Sequence, residues 1–266
     1  MFDLQNRYVG DVGDFGKYGL LRALCLPDAG KQQPLSLGVV WYLTSDETHN
    51  NDGRHIGYLE PTPKNLLAFR ACDPELYEGL GEIVRGGDRN VSAIRRRRIL
   101  PEGTVYYERV LDLKSSIARL RSASRIQNRQ EWVEGAVRAT RDCDVVFVDP
   151  DNGIGSTNQA SSRQGGKYVL LEEVAHYFAK GQTVIIYHHL NRRSSAGDQI
   201  YEGMEQVRRS LGTTARVMAL RYHRGSARVF LVCPSSKHQG VLAPRLDKML
   251  SSAWNQHFTC YFLSGL

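Results

Sequence analysis

Two carboxylates, Asp149 and Asp151, stand where a run of apolar residues stops. Residues 145–148 (Val-Val-Phe-Val) show no polar alternation, which predicts a strand buried on both faces of a parallel sheet. Pro150 cannot extend a strand ladder and Gly153 permits a tight turn, so both acids should lie at the carboxyl end of a central strand. Open α/β sheets bind their ligands at that end. Asp149 and Asp151 are therefore candidate catalytic residues.

Acidic residues at another predicted strand end suggest metal-assisted hydrolysis of a phosphodiester. Asp46 and Asp52 follow the apolar run 35–43, and with Asp149 and Asp151 they form a candidate ligand set. Carboxylates hold magnesium or manganese, and such a divalent metal activates water and neutralises a phosphate in the transition state. Histidines predicted in the same layer are His49, His55, His188 and His189.

The segment 10–19 is rich in glycine and contains Lys17, a cation that would stabilise the charge developing during phosphodiester hydrolysis. Across residues 8–26, apolar residues recur at helical spacing at Phe15, Tyr18, Leu21 and Leu24 or Cys25. Asp14 is the expected N-cap of this helix. Each interior glycine costs about 1 kcal/mol relative to alanine in a helix. Their number indicates that the backbone approaches another group closely; the alternative is a loose loop.

Strand and helix patterns alternate along the chain, which predicts an α/β fold with a mostly parallel sheet covered by helices. The predicted strands are residues 35–43, 104–110, 144–149, 182–187, 215–222, 227–233 and 258–262. The predicted helices include residues 63–72, 74–85, 115–123, 129–141, 167–180, 198–211 and 239–253. The two strands around Gly225 and Ser226 predict a hairpin that adds an antiparallel edge strand. We expect one domain over residues 1–266, with residues 60–102 as a helical insertion.

The composition is 41% hydrophobic and 24% charged over 266 residues, which is ordinary for a soluble globular protein. No apolar run approaches membrane-spanning length, and the first residues lack the pattern of a signal peptide. The five cysteines are scattered without a Cys-x-x-Cys pair, which predicts reduced thiols in a cytoplasmic protein. We therefore expect no membrane partner.

A net charge of +7 favours nucleic acid or another phosphate-bearing partner. The densest basic run is Arg95, Arg96, Arg97 and Arg98. Consecutive arginines of this kind are a candidate patch for the phosphates of nucleic acid. The alternative is a solvated helix face.

The pattern Gly10-Asp11-x-x-Asp14-x-x-Lys17 resembles the N-terminal Gly-Asn-x-x-Asp-x-x-Lys-His motif of the RlmJ-like methyltransferases, which modify an adenine N6 of large-subunit ribosomal RNA. In that family the motif is followed by a strand with a glycine-rich loop and then by a helical insertion. Next come an acidic residue at a strand end, a central strand ending Asp-Pro-Pro-Tyr and a late hairpin with a Gly-Ser turn. The corresponding pieces are residues 41–53, 63–100, 108, 149–152 and 225–226. The match of order and spacing implies a methyltransferase-like, Rossmann-type fold with S-adenosylmethionine as cofactor.

The resemblance also implies roles for individual residues. Lys17 would approach the methionine carboxylate of S-adenosylmethionine, and Tyr18 stands where the family has histidine. Asp46 lies in the loop that corresponds to the cofactor loop, and Glu108 would hold the ribose hydroxyls. Asp149 would accept a hydrogen bond from the exocyclic amine and orient its lone pair at the methyl group. These residues should therefore gather along one rim of the sheet.

The sequence differs from the family in two motifs. The cofactor loop lacks Gly-x-Gly, and Asp151 and Asn152 replace the second proline and the tyrosine of Asp-Pro-Pro-Tyr. That tyrosine is the kind of surface on which a flipped base stacks. Three functions stay open: methylation of a base amine in RNA or DNA, which is the primary hypothesis; metal-dependent nuclease or phosphodiesterase action; and non-catalytic binding of nucleic acid on the same scaffold.

Overall fold

A seven-stranded sheet forms the centre of the protein in the computed structural model, which describes residues 8–26, 33–44, 53–111, 113, 122–160 and 162–263. The strands in chain order are β1 (Leu37–Trp41), β2 (Val105–Tyr107), β3 (Val145–Asp149), β4 (Gly153–Ile154), β5 (Tyr168–Val169), β6 (Thr183–His189), β7 (Met218–Tyr222), β8 (Arg228–Cys233) and β9 (Phe258–Phe262). Strands β4 and β5 pair with each other, and the other seven form the central sheet.

The central sheet has the strand order β2-β1-β3-β6-β8-β7-β9. Its first four strands are mutually parallel, β8 is antiparallel to both β6 and β7, and β9 is antiparallel to β7. Five of the seven strands therefore point the same way, which confirms a mostly parallel sheet with a C-terminal antiparallel hairpin. This architecture is compatible with a Rossmann-like fold.

The prediction that the hairpin would add an edge strand is wrong. Strand β8 lies between β6 and β7, and β9 forms the edge of the sheet. Every residue of β8 is buried, as in a strand covered on both faces, whereas most residues of β9 are partly or fully exposed. The degree of burial therefore separates the inner strand from the edge strand.

Helices cover both faces of the sheet, and alternate strand residues join two apolar clusters. Val145 and Phe147 of β3 belong to one cluster, and Val146 and Val148 belong to the other. The helices are α1 (Val12–Cys25), α2 (Pro63–Asn65), α3 (Pro74–Arg85), α4 (Val91–Arg96), α5 (Ser122–Ala139), α6 (Thr157–Ala160), α7 (Leu171–Phe178), α8 (Ala196–Leu211) and α9 (Gln239–Leu250). The first cluster contains side chains of α1, α3, α4 and α9, and the second those of α5, α7 and α8.

Helices α2, α3 and α4 lie between β1 and β2, where a helical insertion is expected. Apolar side chains of α3 share a cluster with those of α1, and Arg22 Nε of α1 donates to Asp73 Oδ2 at 2.6 Å. The expected single domain over residues 1–266 stays a prediction. None of the described helices combines the length and apolar character that crossing a bilayer requires.

Two predicted helix boundaries are wrong. The helix expected from Lys167 begins at Leu171, because residues 168–169 form β5. The gap expected between residues 123 and 129 is helical, since α5 runs through it without a break. The first error matters for function, because it leaves Lys167 outside the helix and next to the end of β3.

One face of α1 is made of glycine, which confirms the predicted close approach of the backbone. The glycines recur at intervals of three residues, at Gly13, Gly16 and Gly19. The side chains that pack on them are Arg228, Tyr222 and Trp254, respectively. Side chains from the hairpin and the C-terminal region thereby hold α1 against the sheet.

Replacing Gly16 by alanine should destabilise the fold. The new Cβ would lie 2.6–2.7 Å from three atoms of the buried Tyr222 ring. Overpacking of this kind costs about 1–3 kcal/mol and exceeds the helix propensity gained. Gly240 of α9 is the matched control, because no atom lies within 4 Å of the added Cβ. Urea denaturation should show lower stability for Gly16→Ala and equal or higher stability for Gly240→Ala; equal losses would contradict this packing.

Candidate active site

Lys17 and Asp149 lie 132 residues apart in the chain and meet in the folded protein. Lys17 Nζ is 2.8 Å from Asp149 Oδ2 and 3.1 Å from Asp14 Oδ1. The side chains of Lys17 and Asp149 are only 13% and 10% exposed, so the pair is shielded from water. The lysine and the acid that ends the central strand therefore share one rim of the sheet, as expected.

Asp149 ends β3 at the point where the strand order reverses. The sheet extends from β1 to β2 on one side and to β3 on the other. Trp41, the last residue of β1, pairs in register with Asp149, whose carbonyl oxygen accepts from Tyr42 N–H at 3.3 Å. Such a reversal opens a crevice at the carboxyl ends of the two strands, and ligands bind there in α/β proteins.

Helix α1 is capped by Asp11, so the prediction that Asp14 is the cap is wrong. Asp11 Oδ1 accepts from the backbone N–H groups of Gly13 and Asp14 at 2.7 and 3.0 Å. Asp14 lies in the first turn, where its Oδ2 accepts from Gly10 N–H at 3.1 Å. The earlier cap leaves the other Asp14 oxygen available to pair with Lys17.

The ion pair changes the proton affinities of its members. Burial raises the pKa of Asp14 to about 6, although Lys17 acts in the opposite direction. Burial alone would lower the pKa of Lys17, but the charges of Asp149 and Asp14 outweigh it and raise that pKa above its ordinary value. Lys17 therefore stays protonated at neutral pH, held between two carboxylates.

The raised pKa of Asp14 predicts a pH-dependent stability. Between its ordinary value of 3.8 and about 6, the folded protein binds more protons at this residue than the unfolded chain. Stability from this group therefore rises as pH falls through that window. In Asp14→Asn the free energy of unfolding should lack this gain between pH 7 and pH 4. Parallel pH profiles of the two proteins in urea denaturation would contradict it.

The turn after β3 places Asp151 and Asn152 in the wall of the crevice. Gly153 turns the chain with φ +95°, and a Cβ there would overlap His188, which confirms the tight turn predicted at this position. Lys167 Nζ lies 3.3 Å from Asp151 Oδ2, and Asn152 N–H donates to the Lys167 carbonyl at 2.8 Å. Asp151 is therefore paired with a second lysine.

A buried ion pair fixes the segment that carries Lys167. Arg129 Nε donates to Glu173 Oε1 at 2.5 Å, and the same guanidinium donates to the carbonyls of Gly165 and Tyr168 at 2.8 and 2.6 Å. Tyr42 O–H donates to Glu173 Oε2 at 3.1 Å, which connects the network to the residue after β1. These contacts connect the segment that carries Lys167 to the end of β1 on the other side of the crevice.

The crevice is a cavity of about 380 Å³. That volume lies within the range of small-molecule sites. Its charged walls comprise Asp11, Asp14, Lys17, Asp149, Asp151, Lys167 and Arg228. Its aromatic walls comprise Tyr8, Tyr18, Trp41, Tyr42 and Tyr187.

Strands β6 and β8 supply the far wall. Tyr187 and His189 of β6 are joined by a hydrogen bond of 2.8 Å between the phenol oxygen and Nε2. Burial and the nearby Arg228 lower the pKa of His189, so this imidazole is neutral at pH 7. Arg228, the first residue of β8, donates from Nη2 to Ser226 Oγ at 2.6 Å.

Two residues assigned to the cofactor by resemblance have different placements. Tyr18 lines the cavity, and its ring centroid lies 5.7 Å from Lys17 Nζ. Glu108, just beyond β2, is not among the described residues that line the cavity. Its Oε1 is buried and lies 3.1 Å from Arg95 Nη2 without hydrogen-bond geometry. Its role towards ribose stays a prediction.

The arginine run is largely matched by acids. Arg95 faces Glu108, Arg96 pairs with Asp88, and Arg97 Nη1 lies 2.7 Å from Glu82 Oε2. The side chain of Arg98 has no partner among the described residues, and its φ of 51° is unusual for a residue with a side chain. These neighbouring acids reduce the positive potential that the run would offer to phosphates.

The metal hypothesis gains no ligand set from the described part of the chain. Asp46 and Asp52, like His49, lie outside the described residues. Asp149 and Asp151 are each paired with a lysine, and no group of three His, Cys, Asp or Glu side chains suited to a metal occurs within the described ranges. In each acid Oδ2 is already paired with a lysine, which leaves only Oδ1 for another ligand.

Sequence reasoning missed Asp11, Lys167 and Arg228 as members of the site. Asp11 carried a signal, because it belongs to the Gly10–Lys17 motif. Lys167 and Arg228 have no signal in the local sequence pattern, because only the tertiary structure brings them to the cavity. No protein-family model matches the chain and no curated protein matches it, so the methyltransferase resemblance stays a prediction.

Proposed function

We propose that this protein is an S-adenosylmethionine-dependent methyltransferase that acts on a base amine of RNA or DNA. The observation that supports it most is the 2.8 Å contact between Lys17 and Asp149 inside a cavity at the strand-order reversal. The resemblance gives these two residues roles at one reacting centre. They are distant in sequence, and local pattern alone would not bring them together.

The walls of the cavity suit the charges of this cofactor. Four carboxylates face the cavity, against three lysine and arginine side chains. S-adenosylmethionine carries a sulfonium, an ammonium and one carboxylate, and its net positive charge complements such a wall. Trp41 and Tyr42 offer aromatic faces to adenine or to the sulfonium. Asp11 and Asp14 would face its cationic groups.

Asp149 has one carboxylate oxygen that can orient an amine. Its Oδ2 is held by Lys17, and its Oδ1 has no hydrogen-bond partner among the described residues. That oxygen can accept a hydrogen from an exocyclic amine and aim the nitrogen lone pair. When bound, the cofactor supplies an activated methyl group. Lys17 holds Asp149 Oδ2 in place, and Asn152 lies in the same wall.

Isothermal titration calorimetry with S-adenosylmethionine tests the proposal. The wild-type protein should bind one equivalent with a Kd between about 1 μM and 1 mM, the range of ordinary enzyme substrates. Asn152→Trp, which fills the cavity, should abolish binding, whereas Asn255→Trp makes the same change at an exposed position and should bind normally. No binding by folded wild-type protein, or equal binding by the two variants, would refute the proposal.

A further inference from the structure

Arg228 is a buried cation that has no carboxylate partner in the described part of the chain. The residue is 6% exposed and lines the cavity. Within the described ranges it donates only to Ser226, from Nε to the carbonyl oxygen at 3.2 Å and from Nη2 to Oγ at 2.6 Å. It forms no ion pair with any of the described residues. Buried charges are normally paired, so this guanidinium is suited to an anion that enters the cavity.

The two lysines of the cavity, unlike Arg228, are each paired with a carboxylate. Lys17 lies between Asp149 and Asp14, and Lys167 faces Asp151. An anionic ligand that bound either lysine would compete with a carboxylate already in place. An anion that bound Arg228 would displace no carboxylate from an ion pair of the described residues, although the charges of Asp11 and Asp14 also act on this guanidinium.

The guanidinium is also held in place before any ligand binds. It lies against Gly13 at the start of α1, where an added Cβ would overlap it. Its Nη2 is 3.2 Å from the position of a Cβ at Gly225, and its Cζ is 5.9 Å from the Tyr187 ring centroid. A planar fork fixed in this way matches the two oxygens of a carboxylate or phosphate.

We propose that Arg228 and the Ser226 hydroxyl form the oxyanion subsite of this cavity. If the proposed function holds, on which this assignment rests, the subsite takes the carboxylate of S-adenosylmethionine. Lys17 is then a positioning residue for Asp149, not the partner of the cofactor carboxylate that the resemblance implies. The other source of the same chemistry is a phosphate of the substrate.

Calorimetry tests whether the anion on Arg228 is the cofactor carboxylate. It compares S-adenosylmethionine with its decarboxylated form, which differs only in lacking the carboxylate. The wild-type protein should bind the complete cofactor about 10–100-fold tighter, as expected for a charged hydrogen-bonded pair. Arg228→Met should bring this ratio close to one, and Arg228→Lys should leave an intermediate ratio. Arg193→Met, at an exposed loop position, should match wild type. An unchanged ratio in both Arg228 variants, or a wild-type ratio of one, would overturn the carboxylate assignment.

Thermal unfolding tests whether the anion on Arg228 is a phosphate. The Tm is measured in inorganic phosphate and compared with the Tm in chloride at equal ionic strength. Phosphate should raise the Tm of the wild-type protein and not that of Arg228→Met. Circular dichroism confirms that the variant is folded. If Arg228→Met does not fold, the same comparison is made with Arg228→Lys, in which phosphate should raise the Tm less than in wild type. If wild type binds no S-adenosylmethionine but keeps this phosphate effect, the proposed function fails and the oxyanion subsite stands. If neither probe depends on Arg228, the subsite is refuted.

Discussion

Replacing Asp149 by asparagine should lower the rate of methyl transfer by about 10²–10⁴-fold, the range typical of a positioned catalytic side chain. Asparagine keeps the shape of the side chain but removes the charge held by Lys17 at 2.8 Å. Its amide also presents a donor where the substrate amine needs an acceptor. Binding of S-adenosylmethionine should change far less than turnover, because the reacting amine belongs to the other substrate.

Transfer of a labelled methyl group from S-adenosylmethionine to RNA and to DNA measures this effect. Asp142→Asn is the matched control, because Asp142 lies on the surface with 86% of its side chain exposed. The control should keep wild-type activity. Activity of Asp149→Asn within twofold of wild type would remove Asp149 from the mechanism, and wild-type binding without any transfer would favour a non-catalytic nucleic-acid-binding protein.

Replacing Lys17 by methionine should produce the largest loss of stability, about 3–5 kcal/mol, which is typical when one partner of a buried ion pair is removed. The change leaves the carboxylates of Asp14 and Asp149 buried without their shared cation. Acidification should reduce the deficit, because protonation of Asp14, whose pKa is already raised to about 6, removes one of the two charges.

Urea denaturation of a double-mutant cycle checks this prediction. Lys17→Met combined with Asp149→Asn should be more stable than the sum of the two single changes predicts, since the second removes a charge that the first leaves unpaired. Lys64→Met, at an exposed position of α2, is the control and should lie within about 0.5 kcal/mol of wild type. Additive effects would show that the ion pair does not contribute to stability.

The parts of the fold that local pattern determines were predictable. The apolar run before Asp149 and the proline and glycine after it define β3 and its end, because few other structures suit those residues. The spacing of Asp14 and Lys17 by three residues places both on one helix face. Their contact with Asp149 also needed the rule that ligand sites form at the carboxyl ends of parallel strands.

The rest depends on contacts between distant parts of the chain. The position of β8 inside the sheet follows from tertiary packing, because a hairpin pattern is the same at an edge or in the centre. Asp11, not Asp14, caps α1, and the sequence offers both acids within one turn without a signal that separates them. The acids that face the arginine run come from α3, the loop before α4 and the end of β2, so the sequence alone indicates an unpaired basic patch.

The central claim is that the cavity between α1 and the carboxyl ends of β1 and β3 holds the cofactor. A crystal structure with S-adenosylhomocysteine, the demethylated product of that cofactor, tests it most directly. We predict ligand density in this cavity, with its carboxylate on Arg228 and its sulfur facing Asp149. Density on another surface, or an empty cavity at a saturating ligand concentration, would contradict the account.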